Sequence, residues 1–124
     1  MDSITTDDAP ESIGPFSQAV RDDGTIYVSG QGPVDPDTGQ IVDGGAGDQT
    51  RRTLDNVAAI LEAADCDFGD VVKVTVYTRD MEAYDEINDA YAEYVDPPYP
   101  ARCAVEVRDL PIDIDVEIEA IAHE

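Results

Sequence analysis

Two short β-prone runs, Ser17 to Arg21 and Thr25 to Gln31, flank Asp22-Asp23-Gly24 near the start of the chain. An Asp-Gly pair tolerates the backbone conformations that a tight hairpin demands, so this spacing predicts two antiparallel strands. Pro33 to Gly39 reads as a turn, Ile41-Val42 as a short optional strand, and Gly44-Gly45-Ala46-Gly47 as a flexible connection. From Asp48 the period changes. Leu54, Val57, Ala58, Leu61 and Ala64 recur at helical spacing, which predicts a helix of about 17 residues with Asp48 at its N-cap.

Period two returns where Val72, Val74 and Val76 alternate with Lys73, Thr75 and Tyr77, the mark of a half-buried strand. Asp80 is placed to cap a second helix on which Tyr84, Ile87, Tyr91 and Tyr94 share a face, and Asp96-Pro97-Pro98 stops it. Two strands follow. On the first, Ala101, Cys103, Val105 and Val107 oppose Arg102, Ala104 and Glu106. On the second, Ile114, Val116, Ile118 and Ala120 oppose Asp115, Glu117 and Glu119. The order ββ(β)αβαββ predicts a single α+β domain over residues 1–124, a mixed sheet with two helices on one face. The other face carries polar and apolar residues together and needs either water or another subunit.

Charge changes this picture. The 124 residues hold 29 carboxylates against seven Lys and Arg, a formal net charge of -22, and Lys73 is the only lysine. Such a field repels phosphate backbones and argues against a nucleic-acid partner. Self-repulsion of this size weakens the compact state in dilute buffer, whereas molar salt shortens the Debye length to about 3 Å and removes most of the penalty. The chain is therefore expected in a salt-rich cytosol, with an ordinary acidic protein as the alternative. Met1 to Pro10 has no basic and apolar succession of a secretion signal, and no stretch has the roughly 18 apolar residues of a membrane span. Cys66 and Cys103 are isolated and read as reduced thiols, which fits a cytoplasmic location.

Several chemistries lack their parts. His123 is the single histidine, so a Ser-His-Asp or Cys-His arrangement would rest on the tail. No zinc-ligand spacing and no phosphate loop is present, and Asp35-Pro36-Asp37-Thr38-Gly39 lacks the remaining ligands of a calcium loop and reads as a turn. Arg102 has two readings. A planar guanidinium at a strand start suits a small-molecule carboxylate, a contact worth roughly 1.5 to 3 kcal/mol, and it equally suits an internal ion pair with Glu106 or with Glu117 on a returning partner strand. Glu117 reads either as a general base toward water or as part of a solvated face. Cys103 reads as a packed, inert thiol, and Tyr84, Tyr91 and Tyr94 as core or interface packing.

Ile13-Gly14-Pro15-Phe16-Ser17-Gln18-Ala19, Val28-Ser29-Gly30-Gln31 with Pro33-Val34-Asp35, Thr53-Leu54-Asp55-Asn56-Val57, Ile87-Asn88-Asp89-Ala90-Tyr91, and Pro100-Ala101-Arg102 with Val116 to Ala122 form an ordered set of motifs. Nearly end to end, the chain resembles the YjgF/RidA family of imine deaminases. The resemblance implies a chorismate mutase-like fold assembled as a homotrimer, with active sites in clefts between subunits. It implies hydrolysis of 2-imino acids such as 2-iminopropanoate and 2-iminobutanoate to 2-oxo acids and ammonium, with no cofactor and no metal. Arg102 would anchor the substrate carboxylate and Glu117 would position or activate water. Gly30 and Ala104 would border the ligand through their backbones, with Ser29 and Asn88 nearby.

Two positions depart from the family pattern. Phe16 stands where tyrosine is usual, and so lacks a hydroxyl that could bond substrate or water. The frequent cysteine two positions after the arginine is Ala104, while Cys103 sits alongside and should point to the opposite sheet face. An alternative expectation is a trimeric protein that binds small carboxylates, or acts as a chaperone-like surface, without turnover.

Overall fold

The apolar stripe on the long helix decides the architecture, because it needs a sheet face to cover. The computed structural model describes residues 1–124, in the order β1 (Asp2–Ile4), β2 (Ala19–Asp22), β3 (Thr25–Gln31), α1 (Ala46–Ala63), β4 (Val71–Thr78), α2 (Tyr84–Tyr91), β5 (Ala101–Glu106) and β6 (Val116–His123). Single 3-10 turns at Phe68–Asp70 and Met81–Ala83 lead into β4's start and α2 respectively. The strands form one sheet in the order β1-β2-β3-β6-β4-β5, antiparallel at every junction except the parallel β4–β5 pair.

β6 lies inside the sheet, paired with β3 on one edge and β4 on the other, and its two faces differ. Val116, Ile118, Ala120 and Ala122 are buried, and they alternate with half-exposed Glu117, Glu119 and Ile121. Helix α1 lies over β3 and β6 and packs sideways on α2. Its Leu54, Val57, Ile60 and Leu61 are fully buried in one cluster with Ile26, Val28 and Ile118, each such side chain contributing about 1.5 to 3 kcal/mol. The opposite face of the sheet carries no helix. No helix is long and apolar enough to cross a membrane.

Two buried amides tie loops to this core. Asn56 on α1 donates from Nδ2 to the carbonyls of Gly32 and Val34 at 3.0 and 2.8 Å, and its Oδ1 accepts from Arg52. Gln18 accepts from the Thr6 N–H and donates to the Thr6, Ala9 and Pro10 carbonyls, holding the N-terminal segment against β2.

The structure corrects several expectations. β1 was not anticipated: three residues give too little pattern, and pairing with β2 makes it a strand. Ile41 forms only an isolated bridge with Val34. Helix α1 starts three residues early, with Gly45 rather than Asp48 at its N-cap; Asp48 instead accepts from the Gly45 N–H at 3.3 Å, and Glu86 of α2 accepts from the Gly47 N–H. Asp80 caps the 3-10 turn through the Glu82 N–H, and Tyr94 lies beyond the end of α2. The valine alternation fails at Val72, which is half exposed while Val71 is buried, because the β4–β6 register slips between Val71 and Lys73. Finally, β5 does not pair with β6. β4 lies between them, so no partner strand brings Glu117 opposite Arg102.

A candidate active site in two halves

Arg102 pairs with Val74 and Ala104 with Val76, and both valines are buried beneath the helices. Arg102 and Ala104 therefore face the helix side of the sheet, at its outer edge. Cys103 and Val105 face away and are exposed, so the expected packed thiol is instead an accessible one. The apolar look of that strand face misled, since it belongs to the side that no helix covers.

Around Arg102 the partners are aromatic. Its guanidinium donates to the Tyr84 hydroxyl at 2.9 Å and lies 4.9 Å from the Tyr91 ring centroid and 5.7 Å from that of Tyr84. No carboxylate oxygen comes within 4.0 Å of it, whereas Arg21, Arg51 and Arg79 all reach carboxylates. The expected pairing of Arg102 with Glu106 or Glu117 is absent; Glu106 accepts from the Met81 N–H instead. Tyr84, Asn88 and Tyr91 stand at i, i+4 and i+7 on α2 and share one helix face. On that face Asn88 Oδ1 and the Tyr91 hydroxyl are buried without a hydrogen-bond partner. Burial pushes the Tyr91 hydroxyl pKa up, against an opposing pull from Arg102.

Glu117 belongs to a second group on the uncovered face. Ser29 and Gly30 together oppose the single Glu119 in the β3–β6 ladder, a bulge that brings the Glu117 carboxylate over Gly30. A Cβ at Gly30 would lie 2.8 Å from Glu117 Oε2, so glycine is what lets the carboxylate settle there. The Ser29 hydroxyl donates to the Ser17 carbonyl at 2.7 Å, tying the bulge to the segment that carries Phe16. Phe16 is 52% exposed beside an open groove of about 560 Å³ lined by Ser12, Ser17 and Gln18 among others. Burial, and secondarily the charge of Glu119, hold the Glu117 carboxyl above the usual glutamate range. Glu119 itself accepts from the Tyr77 hydroxyl at 2.7 Å.

The seven residues singled out from the sequence thus fall into two sets. Arg102, Ala104 and Asn88 lie on the helix side; Glu117, Gly30 and Ser29 belong to the other, to which Phe16 is linked only through its neighbour Ser17. Three residues along β4 and two strand spacings separate Arg102 from Glu117, which puts their Cα atoms about 14 Å apart, with side chains on opposite faces. A small acid whose carboxylate and reacting carbon are one bond apart cannot touch both within one chain. Sequence reasoning missed Tyr84 and Tyr91 as partners of Arg102. Their helical spacing with Asn88 was the available signal.

Comparison with known proteins bears on both halves. The family model described as Endoribonuclease L-PSP matches residues 6–124. The chain is 52% identical to a RutC family protein of Pyrococcus horikoshii over 97% of this chain and 95% of the relative. It is 49% identical to a 2-iminobutanoate/2-iminopropanoate deaminase of Bos taurus over 96% of this chain and 87% of that protein. Among solved structures, E. coli TdcF with bound serine superposes with a TM-score of 0.94 at 41% identity, covering 100% of this chain and 99% of that one.

Proposed function

Since the chain belongs to the Endoribonuclease L-PSP family, which is the YjgF/RidA family, we propose that it hydrolyses small 2-imino acids to 2-oxo acids and ammonium. The observation that carries the proposal is Arg102, a cation held by tyrosines and free of any carboxylate in a chain with 29 of them. Serine, which the E. coli relative binds, is a small α-amino carboxylate and supports the same substrate class.

In this reading Arg102 receives the substrate carboxylate bidentately and orients the imine carbon. Glu117, whose raised pKa makes it a better base than an ordinary glutamate, accepts a proton from water as the water oxygen bonds to that carbon. That proton passes to nitrogen, the C–N bond breaks as the oxygen forms the C=O bond, and the remaining hydroxyl proton goes to the departing ammonia, so that the 2-oxo acid and ammonium leave. The two groups occupy opposite faces of one chain, so the complete site takes Arg102 from one copy and Glu117 from a neighbour. A homotrimer with three such clefts meets that need and covers the face without helices. Gly30, Ser29 and Phe16 would wall the site beside Glu117, and Ala104 and Asn88 beside Arg102. RNA cleavage is not proposed, because the net charge of -22 opposes polyanion binding.

The test generates a 2-imino acid in situ with an amino acid oxidase and traps the remaining imine with semicarbazide. Wild type is expected to suppress semicarbazone formation at high salt, and Arg102→Ala to lose that effect. No suppression by wild type would sink the hydrolase reading and leave a small-carboxylate binder.

A further inference from the structure

Of the six arginines, Arg21, Arg51 and Arg79 reach carboxylates, Arg79 those of Asp109, Asp113 and Asp115. Arg102 reaches none, as is also true of Arg52 and Arg108, but it is the one arginine set over aromatic rings. It lies over the Tyr91 ring, beside the Tyr84 ring, and its one side-chain hydrogen bond goes to a neutral hydroxyl. Both tyrosines come from one face of α2, so a single rigid element fixes the guanidinium. Ring faces and a hydroxyl orient an arginine without neutralising it, and they leave most of its five N–H donors unengaged.

We propose that Tyr84 and Tyr91 form a charge-neutral clamp that positions Arg102 while reserving its charge for an incoming carboxylate, with Tyr84 as the residue that decides how available that charge is. The proposal rests on the carboxylate-anchoring role of Arg102 given above. Tyr84 suits this task through its place in the fold. It begins α2, it is partly exposed, and its neighbours Asp85 and Glu86 already put two carboxylates in that first turn. A carboxylate at position 84 would be compatible with the helix N-terminus, yet it would pair with Arg102 and compete directly with the ligand. A neutral side chain there keeps the surrounding acidity away from the anchor.

The experiment measures binding of 2-oxobutanoate by titration calorimetry to wild type, Tyr84→Gln and Tyr84→Glu, in dilute buffer and in molar KCl. Gln and Glu differ only in charge, so loss of the ring and small changes in folding cancel between them. Tyr84→Glu is expected to bind weaker than Tyr84→Gln by roughly tenfold in dilute buffer, the worth of one charge-assisted hydrogen bond. Molar salt should close most of that gap. In a parallel arm, Tyr91→Leu should lose affinity that Tyr91→Phe retains, since the ring face makes the contact. Equal affinities of the Gln and Glu variants at low salt overturn the clamp, as does a wild type that binds no 2-oxo acid. A wild type that binds 2-oxobutanoate but never accelerates imine hydrolysis would defeat the hydrolase reading alone and leave the clamp standing.

Discussion

Mixing two inactive variants should restore activity. Arg102→Ala removes a charge-assisted carboxylate contact, worth roughly 1.5 to 3 kcal/mol or about 10- to 150-fold in binding. Glu117→Ala removes a positioned base, worth roughly 10²–10⁴ in rate. The separation of about 14 Å and the opposite faces mean that no single chain supplies both groups to one ligand. In a ring of three assembled at random from equal amounts, a site is whole when its arginine comes from a Glu117→Ala subunit and its glutamate from an Arg102→Ala subunit. That holds for about one site in four. Subunits are exchanged by joint unfolding and refolding in molar KCl, or by coexpression, and semicarbazone formation is followed. The expected result is about a quarter of wild-type activity, far above either variant alone. Mixed assemblies no more active than the mean of the two variants would refute a site shared between copies.

Three further outcomes follow from the same geometry. Gly30→Ala should lower kcat roughly tenfold or more while the melting temperature moves by only a few degrees, because the three atoms nearest such a Cβ, the closest being Glu117 Oε2 at 2.8 Å, all belong to one flexible side chain that can be expelled; unchanged kcat would show that the carboxylate position does not matter. Glu117 titrates above its unfolded value, so the native state holds the proton more tightly, and stability falls as pH rises from the ordinary glutamate range through the raised value. Denaturant melts of Glu117→Gln should lose that part of the slope and show higher stability than wild type at pH 7, and an unaltered profile would contradict the burial argument. For the whole chain, a net charge of -22 predicts a denaturant midpoint that rises steadily from about 0.1 M to molar KCl as the Debye length shrinks from about 10 to 3 Å; a flat response would remove the case for a salt-rich setting.

The arrangement of helices and strands was legible because local period and turn chemistry agree. Asp22-Asp23-Gly24 turns as expected, with Asp23 and Gly24 both at positive φ, and the β6 alternation is buried where the pattern says, as are Leu54, Val57, Leu61 and Ala64 of the helical stripe, whereas Ala58 is only half-buried and Ile60 takes a buried place instead. What local pattern cannot express is pairing order. Nothing in Arg102 to Glu106 says that this strand runs parallel to β4 at the sheet edge, and the faces of β5 were assigned the wrong way round for Cys103 in consequence. Val72 shows the same limit on a smaller scale, since a bulge depends on the neighbouring strand. The residues of the candidate site were identifiable one by one from motifs. Their division into two halves was not, because it follows from the register across three strands.

The position of β6 has a consequence for how the molecule is made. β1, β2 and β3 form one antiparallel group, β4 and β5 another, and only β6 hydrogen-bonds to both. All five of those strands leave the ribosome before β6 does. Until Val116–His123 is available, the nascent chain holds two partial sheets with their inner edges unpaired and the apolar stripe of α1 only partly covered. Folding is therefore expected to finish in one late, long-range step, with the interval before it the period in which the chain is most open to wrong pairing.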